Sequence, residues 1–307
     1  MLSIRPITKT ISLLMLFSIA LLINGCRGDG EKKSDEKIAV ETFEVNDQIF
    51  NDINEAKKIF YSLPSPLETA MLIKSAGAKF NEDLLNPVTN ADNYTTNKSM
   101  ALNLGVYTTD LSFASLFDQT QTTITYMNAA KKMADGLGIL DAIDNQTIER
   151  LEENINNRDV IMDIISETFM SSSSFLKEND RAAIASIVLV GGWVEGLYIA
   201  TQLVGDSPIE DNKLVERIVD QKLSFDIVLR LLNEYQSNAS VASLIEEVNE
   251  LKAIFDKIKI KTSEIETVHD EQTNVTTLKS QSEIEITREV FDELKSKVEA
   301  IRNNFTL

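Results

Sequence analysis

From Val45 onward, apolar residues recur every three or four positions along most of the chain. That spacing lays one face of an α-helix against a core. Ile49, Ile53, Ala56, Ile59 and Phe60 mark a first helix that stops before Pro64. Ser65-Pro66-Leu67-Glu68 predicts the start of a second. Ser65 caps it, Pro66 suits the first helical position, Glu68 completes a capping box and Gly77 ends it. Residues 81–97 hold Pro87 and many Asn and Thr residues and read as a long surface connection. Two helices follow, at about 98–117 with Leu102, Val106, Phe113 and Phe117 inward and at about 120–135, closed by Gly136 and Gly138.

Polar helices at 145–157 and 159–177 lead to the most apolar stretch, 182–204. It contains one ionisable residue, Glu195, and three glycines, Gly191, Gly192 and Gly196. Its length would also suit a bilayer span, but a mid-bilayer carboxylate is costly. A helix buried on all sides is the favoured reading, with the glycines admitting close neighbours at about 1 kcal/mol each in helix propensity. Glu195 then needs an interior partner, for which Arg181 or a lysine is the candidate. Amphipathic helices are expected at 210–235, 241–261 and 288–303. Residues 264–287 alternate Val, Ile and Thr with charge, which predicts a small β-hairpin or a loop. The expected fold is all-α: one array of about nine helices over 45–307.

Residues 1–25 have a different pattern. Arg5 and Lys9 precede an apolar run from Ile11 to Ile23, and the segment ends Leu22-Ile23-Asn24-Gly25-Cys26. This resembles the lipobox of bacterial lipoprotein signal peptides. The resemblance implies a diacylglyceryl group on the Cys26 sulfur, cleavage just before Cys26 and acylation of the new amino group. Each buried methylene adds about 0.8 kcal/mol, so several chains together make a stable anchor where one is marginal. Cys26 is the only cysteine, so it has no disulfide partner within the chain. Residues 26–44 then form an acidic tether. Arg27 stands where an Asp signals inner-membrane retention in many such lipoproteins, which leans towards the outer membrane, on its periplasmic or its surface face.

The formal net charge is −18, and loss of residues 1–25 removes Arg5 and Lys9 and no acid. So acidic a body argues against nucleic acid, whose binding rests on neutralising phosphates, and against a basic patch on anionic lipid. Membrane attachment falls to the lipid.

Several chemistries lack their residues. The lone histidine, His269, sits in the 264–287 segment, and no nucleophile-elbow glycines accompany it. Glu266 and His269 have the spacing of one half of a di-iron site, which needs two such pairs on helices. No zinc cluster, phosphate-cradling loop or other cofactor motif appears. The distinctive stretch is Met100 to Leu111, where Asn103, Tyr107 and Asp110 share one helical face. With Glu195 they form the candidate polar pocket. They are a lining for a ligand, a buried polar network, or a face covered by the 81–97 loop. If Asp110 or Glu195 lies in an interior cleft, a carboxylate-dependent hydrolase is the alternative to a non-catalytic binding domain. An open pocket with carboxylates about 5–10 Å apart would favour it. Leu85-Asn86-Pro87, Tyr94, Ala101 to Tyr107, Asp110-Leu111 and Leu137-Gly138-Ile139 are similar to all-helical lipoproteins of the Bacteroidetes type. That likeness implies location and fold and brings no catalytic residues with it.

Overall fold

A computed structural model describes residues 66–140, 145–154, 157–262, 266–270, 275–279 and 282–307. The signal peptide, the tether and the helix expected over 45–63 lie outside them. Two helices set the architecture, and the others wrap them. α1 spans Pro66–Ser75, α2 Asn97–Leu116, α3 Thr120–Gly136, α4 Asn145–Glu153, α5 Arg158–Glu178 and α6 Ala182–Val204. After these come α7 Lys213–Glu234, α8 Ala239–Asn249, the single turn α9 Lys252–Phe255 and α10 Arg288–Thr306. The fold is all-α, as the periodicity predicts.

The helix starts follow from local chemistry. Thr96 and Ser99 exchange side chain-to-backbone hydrogen bonds at the head of α2, a reciprocal capping box. Asn157, Asn212, Asn238 and Thr287 each accept a backbone N–H at the heads of α5, α7, α8 and α10. At the tail of α2 the Lys74 ammonium bonds the Leu116 carbonyl and lies 5.2 Å from the Phe117 ring centre. A cation there satisfies an orphan carbonyl and the negative end of the helix dipole.

α2 and α6 form the centre. Every residue of α2 from Ala101 to Leu116 is buried, as are 17 of the 23 residues of α6. Neither helix can be amphipathic, because each is surrounded. They cross backbone to backbone on glycine. A Cβ on Gly105 would lie 2.0 Å from the Val188 carbonyl oxygen, and one on Gly191 would lie 2.2 Å from that of Leu102. The Thr109 hydroxyl donates to the Gly192 carbonyl across the same crossing, at 3.2 Å. Gly196 gives α1 the same room, since a Cβ there would lie 2.1 Å from Thr69 Cγ2. α6 passes a length and composition test for a membrane span, yet 78% of its apolar window is buried within the fold. In this structure it is the core helix of a helical array.

Three expectations are corrected. Residues 81–97 are more than a surface connection: most of their side chains are exposed, but the segment also reaches inward. They form two short 3₁₀ helices, Glu82–Leu84 and Val88–Asp92, and bury Leu85, Asn86, Ala91 and Tyr94. Asn86 and Tyr94 belong to an internal network, while Asn81, Thr89, Asn93 and Asn97 face solvent. The expected helix 241–261 is broken: α8 stops at Asn249, α9 adds one turn, and Lys259–Thr262 is a strand, β1. Lys259-Ile260-Lys261 already alternates with period two, and a strand partner outcompetes helix continuation. β2 Glu266–Asp270, β3 Val275–Lys279 and β4 Ser282–Glu285 follow. β1 pairs antiparallel with β4, Ile260 opposite Ile284, and β2 pairs antiparallel with β3, His269 opposite Thr276. Of the two readings left open for 264–287, the structure takes the strand pairing. The third correction concerns the partner of Glu195.

Candidate functional site

The interior of the α2–α6–α10 contact is polar. Asn103, Tyr107, Asp110 and Glu195 each have no solvent exposure. Asp110 lies one helical turn beyond the Gly105 crossing, and Glu195 one turn beyond Gly191. The close approach of the two backbones therefore brings two acids together. Their partner is Arg302 of α10, which is neither Arg181 nor a lysine. Arg302 Nε donates to Glu195 Oε2 at 2.9 Å and its Nη2 to Oε1 at 3.2 Å, a two-pronged pair. The guanidinium stacks 4.7 Å from the Tyr198 ring centre and is 7% exposed.

Two carboxyls face one guanidinium, so one carboxyl is neutral. Burial, and then the charge of Glu195, push Asp110 well above the usual carboxylate range, with Arg302 and the Asn86 N–H only partly opposing. Burial also raises Glu195, against the pull of Arg302. Burial works against the charge on Arg302, but Glu195 and Asp110 outweigh it and hold the guanidinium more basic than usual. The two carboxyls are near enough for each to act on the other's titration. Asp110 Oδ2 accepts the Asn86 N–H at 3.1 Å, whereas Oδ1 receives no donor. A proton on Oδ1, donated to Glu195, resolves that vacancy. Ion pair, shared proton and backbone bond then leave no net charge uncompensated in the core.

The network continues outward through residues that the sequence reading did not select. Asn86 Nδ2 donates to Asn103 Oδ1 and to the Tyr94 hydroxyl, each at 3.0 Å. Asn103 Nδ2 donates to the carbonyls of Ser99 at 2.9 Å and Phe305 at 2.7 Å, and the Tyr94 hydroxyl donates to Thr306 O at 3.1 Å. Side chains of α2 and of the 81–97 segment thus satisfy two of the orphan carbonyls at the tail of α10. Tyr107 stands slightly apart, its hydroxyl donating to Pro87 O at 3.1 Å. Burial, and then the neighbouring Tyr94 and Asp110, hold that hydroxyl far above ordinary titration. The four residues chosen from sequence therefore converge, but onto a filled network and not onto a space. Asn86, Tyr94 and Arg302 were missed. A signal for Arg302 existed: it lies four residues after Val298, on the row of α10 that carries Phe291, Leu294, Val298 and Phe305 inward. Among the described residues, no three His, Cys, Asp or Glu side chains group as metal ligands.

The space lies on another face of α2. Leu104, Thr108 and Leu111 floor a cavity of about 100 Å³ walled by α3 and α5. Its wall is mostly apolar, with Ile139, Ile165, Phe169, Leu176 and Val188 prominent. The Thr108 and Thr168 hydroxyls are spent on carbonyls of their own helices, both at 2.7 Å. Ser172 and Ser173 are different: they are 9% and 6% exposed, line the cavity, and make no hydrogen bond to another described residue. Asn128 and Lys131, both exposed, stand at the rim.

Compared with protein-family models, with curated proteins and with solved structures, the chain finds no match in any of the three.

Proposed function

We propose that this chain is a lipid-anchored, non-catalytic binding domain of a bacterial cell envelope. Its anchor is the lipid on Cys26, its body is the helical array, and its role is to hold a ligand or partner near the membrane. The observation that carries the non-catalytic part is the state of Asp110 and Glu195. A catalytic acid or base must come within hydrogen-bonding reach of a substrate proton. These two have no exposed surface and are occupied by each other, by Arg302 and by the Asn86 backbone. The lipobox residues and the acidic composition support the location.

The test of the anchor is fractionation of the Cys26→Ala variant. It should leave the membrane fraction, and a variant that stays with membranes overturns the anchoring. A hydrolase remains the second reading, favoured by one feature: two buried carboxyls near each other, both held above the usual carboxylate range, as in acid–base pairs. Under that reading Asp110→Asn abolishes turnover of an envelope substrate while the fold survives. Under ours Asp110→Asn alters only stability.

A further inference from the structure

We infer that the cavity between α3 and α5 binds the aliphatic end of a small monocarboxylate, a fatty-acid-like amphiphile whose head is met at the rim by Lys131. The inference rests on the reading of the chain as a binding domain and names the chemical class of its ligand. Three observations carry it. The first is room. An apolar cavity of roughly 150 Å³ stays dry and takes up benzene. A cavity of about 100 Å³ bounded by Leu104, Ile139, Phe169 and Leu176 accepts a short run of methylenes. The second is a pair of hydroxyls that face the cavity. Ser172 and Ser173 are more than nine-tenths buried as residues and line the cavity, and among the described residues their hydroxyls have no protein partner. Their oxygens are not among the sealed, partnerless atoms of the interior, so accessible space reaches them and they can bond what enters it. The third is the sign of the charge. In a chain with 48 acidic residues and 30 basic ones, the described residues lining this cavity include no carboxylate and one cation, Lys131. Among the described residues Lys131 forms no ion pair. The ammonium is a donor only, and each hydroxyl can donate as well as accept. Together they suit the oxygens of a carboxylate, and the ammonium's charge repels a protonated amine.

The experiment titrates the full chain carrying Cys26→Ala, so that no acyl group of its own can enter the cavity. Octanoate is the probe, with octan-1-ol and octylamine as neutral and cationic counterparts of the same chain length. Methyl NMR follows Met127, Ile139 and Ile165. The expected result is saturable shifting of these methyls, with a dissociation constant on the order of 0.1–1 mM for octanoate, as suits about ten heavy atoms. Octanol should bind more weakly and octylamine most weakly. Lys131→Glu, a surface change that leaves the core alone, should weaken octanoate about tenfold and octanol hardly at all. Ala130→Leu, which puts a side chain into the cavity, should abolish both. Binding of octylamine equal to octanoate overturns the inference, and so does an absence of saturable methyl shifts. A chain that loses its membrane attachment with Cys26→Ala but ignores octanoate keeps the anchored-domain reading and loses this one.

Discussion

Two neighbouring faces of one helix are built on opposite principles. On one, Asn103, Tyr107 and Asp110 are polar, fully buried and set in a filled network. On the next, Leu104, Thr108 and Leu111 look onto empty volume. Intuition from sequence assigns the ligand to the polar face and the packing to the apolar one. The structure fills the polar face and leaves the room on the apolar one. Charge in a low-dielectric interior is tolerated only when its partners are built into the protein, which leaves no room for a guest. Apolar walls carry no such obligation, so a void between them costs packing energy and little else.

The largest effect that could break this comparison is expected from Arg302→Met. It strands Glu195 and Asp110 without a cation, and should destabilise the chain by about 3–5 kcal/mol in urea denaturation. A loss below about 1 kcal/mol would mean that water already reaches the pair. Adding Glu195→Leu to the same chain should recover most of that loss, because the uncompensated charge goes with it. Next comes Gly105→Ala. A Cβ there meets the Val188 carbonyl, so α2 and α6 must separate, at a cost of about 1–3 kcal/mol or more. Thermal unfolding measures it, and a change within about 0.5 kcal/mol would show that the two backbones have slack.

Asp110→Asn should cost little, within about 1 kcal/mol at pH 5, since the amide can donate to Glu195 as the protonated acid does and still accept the Asn86 N–H. Its signature is pH dependence. Asp110 holds its proton in the folded chain above the range where an unfolded aspartate, near 3.8, has lost it. Native stability from this group is therefore complete below that range and falls as pH rises towards the raised value. The variant removes that part of the slope, and denaturation at pH 5 and pH 9 compares the two. An unchanged slope would place the proton elsewhere. On the other face, the Ser173 hydroxyl meets the accessible space of the cavity, so Ser173→Ala should change stability by no more than about 0.5 kcal/mol in urea denaturation of the ligand-free chain. A larger loss of stability would mean that the hydroxyl has a partner after all.

Much of the fold was readable because burial and period are local properties. The start of α6 at Ala182, its end at Val204 and the inward row of α10 follow from composition and spacing alone. The all-α class follows from long periodic segments with few glycines and prolines to interrupt them. The change to strand at Lys259 was signalled only by the short alternation Lys259-Ile260-Lys261, because its β-partner lies more than twenty residues away, at Ser282–Glu285. The polar site was half readable. Asn103, Tyr107 and Asp110 stand out on one helix, and Glu195 stands out as the only charge in an apolar run. Asn86 and Tyr94 looked like loop residues because solvent and a buried network select the same side chains.

By itself the sequence determined most of the helical stretches, that the helix over 182–204 is surrounded on all sides, and that an acid inside it must be answered. Only the tertiary structure decided that the answer is Arg302, 107 residues away, and that a second acid, Asp110 on another helix, is buried beside the pair. The reason is physical. Periodicity and capping act over a few residues of one element, whereas the partner of a buried charge is fixed by where helices cross. Here the crossing is set by glycines whose missing side chains let two backbones touch.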